Sequence, residues 1–532
     1  MAVILTDKIS YKRLVVAGNN DIWYEDIGVA AGKMTELDTS SGAIDTSDQL
    51  VMTSAFQKVF IANGANLKVA DFVNTKLTIT ALTTAPTRGS IITQLTSNAT
   101  MIVDYVNEAK TEIYGYVTSG TFVTTAGYTL SGGGLNPETR VPSAVTANPH
   151  WYNWTVYIND TTTYGTMPNK AYLVCTYRGR LVLAGNPEYP HQWYMSRVAN
   201  PFDFLYGAND PMSAVAGNNA DAGQCPDIIR ALISFHDDYL IFGCASTIWI
   251  LRGDPVAGGS LDSLSDTTGM YGANSWCFDD RNLYFWGTGG IYKIEANFSG
   301  VTNLTETLLP DLIKDSAADP TTHRITMGFD KKRNGLVICV TVLATGVNSN
   351  YFYSFKTRGF FPESYPEECG PYSIFYYDAN SPTYCDLLIG CRDGYIRKFL
   401  DTAKDDDIGL TDEAILSYVT YPITPLSEAD RNGKLTEMVF DLGGGASSET
   451  FSNTDGVTYS LYKGDDAETV LENIIDGATA FTSGTLSGTG RKNKIRPRMR
   501  GAYMGLKLAN SIASQTFAIN RVLFDTVKAG KV

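Results

Sequence analysis

Along this chain the hydrophobic and polar positions fall into a short recurring phrase. Four to six mostly apolar residues are followed by a turn of Gly, Asn or Asp and then a second short apolar run. DLLIGCRDGYIRKF (Asp386 to Phe399) has this shape, with Asp393-Gly394 at the turn. LVVAGNNDIWYED (Leu14 to Asp26), KVFIANGANLKVAD (Lys58 to Asp71) and LYFWGTGGIYKI (Leu283 to Ile294) are variants. Each reads as strand, turn, strand. Copies centre near Val15, Phe60, Leu181, Ile241, Tyr284, Val337 and Leu388. Apart from the gap between the second and third, their spacing is about 45 to 60 residues, which a four-stranded unit requires.

Several copies extend to a three-strand rhythm. Turns are predicted at Arg178-Gly179, His236 to Asp238, Gly243 to Ser246, Asp279 to Asn282, Gly287 to Gly290 and Lys331 to Gly335. One such sheet cannot shelter both of its faces from water, whereas sheets stacked radially about an axis can. The pattern therefore predicts an all-β chain built on a β-propeller of six or seven divergent blades. The alternative is a set of unrelated hairpins in separate sandwiches.

The propeller is expected over 1–74 and 166–400, interrupted by a β-rich insertion at 75–165 placed between blades. There TALTTAPTRG (Thr80 to Gly89) is polar, while EIYGYV (Glu112 to Val117) and WTVYI (Trp154 to Ile158) alternate as strands do. DTAKDDDIGLTDEA then marks an acidic linker, 401–416, in which any helix is short: Leu410 to Tyr418, capped by Thr411 or Asp412. From 417 to 532 about five alternating strands predict a sandwich-like C-terminal domain.

Charge narrows the function classes. The 532 residues carry 56 acidic and 42 basic side chains, a formal charge of -14. That excess argues against broad nucleic-acid binding, which relies on Lys and Arg to neutralise phosphates. It is compatible with a wall past which DNA slides without sticking. The eight cysteines are too sparse for a disulfide scaffold, and several sit in apolar runs, as Cys244 and Cys339 do. A reducing compartment of synthesis is expected. MAVILTDKIS has neither the charge nor the apolar core of a secretory leader, and no apolar run is long enough for a membrane helix.

Candidate chemistry is thin. His150, His191, His236 and His323 have no metal-ligand spacing, and Asp405-Asp406-Asp407 lacks the alternation and closing Glu of a calcium loop. The runs at Gly132 to Gly134 and Gly443 to Gly445 lack the following Lys and helix of a phosphate cradle. Neither a nucleophile elbow nor a metal-ligand pair occurs, so we assign no catalytic residue, no metal ligand and no cofactor, and expect no enzyme. Paired carboxylates leave glycosidase chemistry open. Arg252-Gly253-Asp254 matches an adhesion tripeptide but directly follows a strand.

Two features point to contacts. RKNKIRPRMRG carries Arg491, Lys492, Lys494, Arg496, Arg498 and Arg500; in an extended segment the last three share one side. This basic stripe suits first an acidic surface of a neighbouring subunit, next a solvated strand face beside the preceding Gly-rich loop, and last DNA phosphate. Trp151 and Trp154 in HWYNW, if exposed, are a candidate glycan contact.

GRLVLAGNPEYPHQWYMSRVANPFDF (Gly179 to Phe204), followed by IRALISFHDDYLIFGCASTIWILRGD (Ile229 to Asp254), resembles tail nozzle or tail hub proteins of short-tailed bacteriophages. A strand ending in Gly, a short loop, a Trp-bearing strand with Ser, an Asn-Pro element and a strand pair ending near Gly-Asp carry the likeness. RPRMRGAYMGLKLANSIASQTFAINRVLFDTV (Arg496 to Val527) looks like the closing segment of the same virion proteins. The likeness is clearest from Ala171 to Asp254. It implies a β-propeller body and a homo-oligomer, a hexameric ring below the portal and adaptor, with tail fibres as a further partner. It also implies a channel through which genomic DNA leaves without sequence-specific binding, in a virion protein made in the host cytoplasm. A virion-associated or secreted propeller that binds or cleaves glycan is the alternative.

Overall fold

The computed structural model describes residues 1–6, 11–26, 33–37, 44, 50–135, 140–400, 403–408, 411–428, 431–443, 456–486 and 492–531. It divides into two compact units, Met1–Pro362 with Pro371–Lys398, and Glu363–Gly370 with Phe399–Val532. Both are predominantly β and built from small antiparallel sheets.

The first unit holds seven sheets of three or four strands among the described residues. The first sheet comprises Ala2–Thr6, Tyr11–Gly18, Asp21–Tyr24 and Thr35–Glu36, and the second His150–Asn153, Leu67–Asp71, Lys58–Ala62 and Val51–Ala55, each in spatial order. The third runs Leu173–Tyr177, Arg180–Ala184, Trp193–Met195 and Val215–Ala216; the fourth Ile229–Phe235, Tyr239–Cys244, Ile248–Arg252 and Ser260–Ser265. Trp276–Phe278, Leu283–Gly287, Gly290–Ile294 and Val301–Asn303 form the fifth. The sixth is His323–Asp330, Gly335–Val342, Asn348–Ser354 and Gly359–Glu363; the seventh Pro371–Tyr377, Asp386–Cys391 and Ile396–Lys398.

Local chemistry fixes the hairpins. Asn19 and Asn20 (φ 53° and 59°), Arg178 and Gly179 (φ 48° and 72°), and His236 and Asp237 (φ 53° and 58°) are left-handed pairs joining adjacent strands. That geometry matches the twist of the strands it connects.

The sheets pack face to face in chain order. Val15 and Ile22 share a core with Val59, Ile61 and Trp151 of the second sheet. Phe60 and Val69 pack with Val174, Leu181 and Leu183 of the third, and Val182 and Trp193 with Leu232, Leu240 and Phe242 of the fourth. Ile233, Ile241 and Ile250 meet Leu283, Phe285 and Ile294; Tyr284, Trp286 and Ile291 meet Ile325, Leu336 and Ile338. Between the sixth and seventh sheets Gly328 lets Ile374 come so near that a Cβ would lie 2.3 Å from its Cγ2. The seventh sheet in turn meets the first. Leu14 clusters with Tyr377 and Ala379, the Asn380 side chain accepts from Lys12 N at 2.7 Å and donates to Lys12 O at 3.0 Å, and the Tyr377 hydroxyl donates to Glu25. Strands such as Lys58–Ala62 and Leu283–Gly287 are accordingly buried on both faces.

The insertion does not lie between two sheets, as expected, but inside one. The chain leaves the second sheet after Leu67–Asp71 and returns at His150–Asn153, which pairs with that strand through His150 opposite Asp71 and Trp151 opposite Ala70. Between them stands a six-stranded sheet: Leu130–Gly132, Ile91–Gln94, Ala99–Val106, Glu112–Ser119, Thr75–Thr78 and Ala144–Thr146.

In the second unit two sheets share one core. One joins Ser417–Thr420, Tyr503–Asn510, Val457–Gly464 and Thr482–Leu486, with Thr424–Pro425 also on Tyr503–Asn510. The other centres on Arg431–Leu442, flanked on one side by Lys492–Ile495 and Met499–Gly501 and on the other by Ile519–Lys531. Leu435, Met438, Phe440 and Leu442 pack against Val457, Leu461, Leu506 and Leu508.

Two local features here differ from the sequence pattern. In the linker, Thr411–Ala414 is no helix but a strand paired with Asp405–Ile408, where β-branched Ile408 and Thr411 suit the pairing; Leu410 lies outside the described residues. A helix does occur at Ala467–Ile475, where the Asp466 carboxylate accepts from Thr469 N at 2.7 Å and Val470 and Ile474 are buried.

Candidate functional site

The basic segment runs along one margin of the second unit's four-stranded sheet. Asp441 lies opposite Lys492, Val439 opposite Lys494, and Lys434 opposite Arg500. Lys492, Lys494, Arg496, Arg498 and Arg500 are all exposed, and Met499 turns inward and is buried. Arg491 lies outside the described residues. The segment is not one extended strand as expected. Pro497 supplies no N–H to a ladder, and Arg498 adopts a left-handed φ of 50°, so the chain bends between two short strands. The cations nevertheless remain on one exposed row.

Glu437 on the central strand anchors the row. Its carboxylate sits 2.5 Å from Lys494 Nζ and 3.4 Å from Arg496 Nε. Those two cations, Lys494 first, hold the Glu437 carboxyl below its usual range. Lys492, Arg498 and Arg500 form no ion pair among the described residues. Arg500 stands directly across from Lys434, which is also exposed, and like charges opposite each other repel.

The other margin of the sheet is the strand Ile519–Lys531. Its only partner strand among the described residues is Arg431–Leu442, which leaves one hydrogen-bonding edge open. Leu523, Phe524 and Val527 on it are 49, 41 and 55% exposed. Val527 lies across from Lys434 and Leu523 from Val439, so the margin opposite the cations exposes apolar side chains interleaved with Arg521, Asp525 and Lys528. A long open edge bearing apolar side chains is a ready template for another chain. Sequence reasoning named the cations but missed this edge, although the apolar residues of INRVLFDTV are its signal.

Other candidates take structural roles. Trp151 and Trp154 are 4 and 3% exposed, so the expected glycan contact is overturned. Trp151 fills the core between the first two sheets, and Lys68 Nζ lies 5.3 Å from its ring centre. Trp154 packs on Phe60 with ring centres 4.7 Å apart and donates its Nε1–H to Pro201 O at 2.9 Å. Large indoles fill such interfaces with much apolar area, which is why both tryptophans of HWYNW are internal while Asn153 is exposed. In the Arg252-Gly253-Asp254 triplet Arg252 pairs with Asp262 at 3.3 Å and Asp254 with buried Arg180 at 3.4 Å, which fixes both charges within the fold. His150 is buried and its pKa falls chiefly by burial. No cysteine forms a disulfide, and no group of three or more His, Cys, Asp or Glu could hold a metal ion, among the described residues.

No protein-family model and no curated protein matches the chain. Among solved structures it is similar to TolB from Acinetobacter baumannii at 11% identity and a TM-score of 0.24, with 65% of each chain covered. It is also similar to a protein of unknown function from Bacteroides thetaiotaomicron at 8% identity and a TM-score of 0.27, covering 68% of this chain and 88% of that one. An oligogalacturonate lyase in complex with manganese aligns at 8% identity and a TM-score of 0.22, covering 63% and 88%. Scores at this level assign neither fold nor activity.

Proposed function

We propose that this chain is an architectural subunit of a short phage tail, a nozzle or hub protein that assembles into a hexameric ring around the exit channel for genomic DNA. The observation that carries the reading is the outer face of the second unit. One sheet presents five exposed cations along one margin and, along the other, an open strand edge with exposed Leu523, Phe524 and Val527, in a chain whose net charge is -14. A cationic row on an acidic protein is complementary to the rest of its own surface, which favours contact between copies. The general acidity keeps a sliding duplex from adhering.

The body suits such a role. Seven small sheets, each packed on the next and the seventh on the first, support a seven-bladed propeller. The facing sheets of the second unit support a sandwich. A wall of closed sheets is stiff, as a conduit for pressurised DNA requires. The portal, the adaptor and tail fibres are the partners this reading assigns. The rival, a propeller that binds or cleaves glycan, loses its contact pair with the burial of Trp151 and Trp154.

Light scattering on the purified chain, with end-on electron micrographs, tests the proposal. Six-fold rings that disperse in an Arg496→Glu, Arg498→Glu variant are expected. A monomer at micromolar concentration, or a ring whose channel is lined by Arg496 and Arg498, overturns it.

A further inference from the structure

A cavity of about 660 Å³ opens in the first unit at one end of the leading strands of the third to sixth sheets. Its wall includes Tyr172, Arg230, Tyr271, Asn274, His323 and Arg324, and among the described residues no Asp or Glu lines it. In a chain with 56 acidic and 42 basic residues, a recess with two arginines and no carboxylate is a marked local reversal. The volume lies within the roughly 300–1,000 Å³ typical of small-molecule sites.

Arg230 is set apart from its strand. Its neighbours Ile229 and Ala231 pair with Cys244 and Gly243, and the register shifts between them, so Arg230 occupies a β-bulge. Bulges redirect a side chain and are frequent beside functional sites. The Arg230 guanidinium is exposed and makes no ion pair among the described residues. Arg324 is held in place over the Tyr372 ring, 5.3 Å from its centre. The Tyr271 hydroxyl is buried without a hydrogen-bond partner among the described residues, and the charges of Asp319 and Arg230 act on it in opposite directions. The Asp319 carboxylate is not part of the lining but is held at its rim, accepting from N and Oγ1 of the lining residue Thr321 at 2.7 and 2.6 Å.

We infer that this cavity binds an oxyanion, the carboxylate or phosphate of a small ligand, with Arg230 as the principal charge and Arg324 as the second. A planar guanidinium matches both groups through paired N–H donors. Tyr172, Tyr271 and the prolines Pro187, Pro190 and Pro320 supply an apolar wall for the rest of the ligand. The inference stands apart from ring assembly, since every lining residue belongs to the first unit.

Calorimetric titration of the full chain with inorganic phosphate and with citrate, against sodium chloride at matched ionic strength, tests it. Saturable binding of at least one probe is expected, weakened tenfold or more by Arg230→Gln and also by Arg324→Gln. Preference for citrate identifies a carboxylate ligand, and preference for phosphate a phosphorylated one. Because Arg230 is exposed, Arg230→Gln retains the fold and decides the matter if Arg324→Gln unfolds. No heat above the chloride control, or equal affinity in Arg230→Gln, overturns the inference.

Discussion

Lys58, on the second sheet of the first unit, places its Nζ 2.5 Å from the Asp104 carboxylate on the inserted sheet. The contact ties an insertion to the body that carries it, and it is dry: Lys58 is 3% exposed and Asp104 18%. Asp71, fully buried, lies 3.8 Å from the same ammonium. Asn74 donates to both carboxylates, Tyr152 donates to Asp71 at 3.0 Å, and Arg88 approaches Asp104 at 2.8 Å. Burial alone would lower the Lys58 pKa, but the charges of Asp71 and Asp104 overcome it and raise it.

Removing one partner from this cluster strands the others. Lys58→Met leaves the fully buried Asp71 carboxylate without its cation, while half-buried Asp104 keeps Arg88, and is expected to cost roughly 3–5 kcal/mol. Urea unfolding followed by tryptophan fluorescence reads the loss, since Trp151 and Trp154 lie in the cores on either side of the second sheet. A midpoint within error of the parent protein would mean that the cluster contributes nothing to the attachment of the insertion.

The same cluster sets an acid limit. Burial would raise the Asp104 pKa, yet Lys58 and Arg88 bring it down to about 2. A carboxyl depressed in the folded state contributes stability that is present above its unfolded pKa near 4. That contribution is lost as pH falls from there to about 2. His150 acts higher on the scale: burial lowers its pKa, so below about 6.5 the unfolded chain takes up a proton that the folded one resists. Stability should therefore decline in two stages on acidification, the first absent in His150→Phe and the second blunted in Asp104→Asn. Unfolding curves at half-unit pH steps separate them.

These residues also mark where the sequence was legible. Hairpins closed by two or three residues could be read directly: the turn at Arg178-Gly179 joins Leu173–Tyr177 to Arg180–Ala184, and His236 to Asp238 joins Ile229–Phe235 to Tyr239–Cys244. Register and turn chemistry are local, so the letters carry them. Val51–Ala55 was not legible, because Phe56 and Gln57 form its turn at φ 51° and 57° without any residue that favours that geometry. The pairing of His150–Asn153 with Leu67–Asp71 spans about eighty residues, and no local pattern encodes it. The basic row was visible as composition, but the bend at Pro497 and Arg498 and the open edge beyond Arg431–Leu442 depend on pairings made at a distance. The cavity was invisible for the same reason, since its wall is drawn from four sheets.

Gly165 shows how closely the third sheet's long loop returns to the chain that enters it. It bridges to Phe204, has a φ of 72°, and a Cβ built on it would lie 2.3 Å from the Phe204 carbonyl. Gly165→Ala meets both a clash with backbone, which cannot rotate away, and a conformation reserved for glycine. A loss of about 1–3 kcal/mol is expected, with the sheet content of the circular dichroism spectrum unchanged. Gly134→Ala, where the Cβ meets nothing within 4 Å although φ is 94°, isolates the backbone part and should cost less.

Arg500 and Lys434 offer the sharpest separation of folding from assembly. They face each other on adjacent strands, both exposed, and their repulsion is tolerable in an isolated subunit only because water screens it. If the row meets an acidic surface of a neighbouring copy, that repulsion is relieved on assembly and Arg500 works for the ring at a small expense to the fold. Arg500→Glu reverses both effects. Opposite Lys434 it forms an attractive cross-strand pair, so the melting temperature of the dispersed subunit should rise slightly, by the equivalent of a few tenths of a kcal/mol at about 50 mM salt, and less at 0.5 M. In the ring it sets a carboxylate against carboxylates, so the concentration at which light scattering reports half-assembly should rise about tenfold or more. A variant that melts higher and assembles as well as its parent would confine the row to the solvent. One that melts lower would place Arg500 in a contact within its own chain.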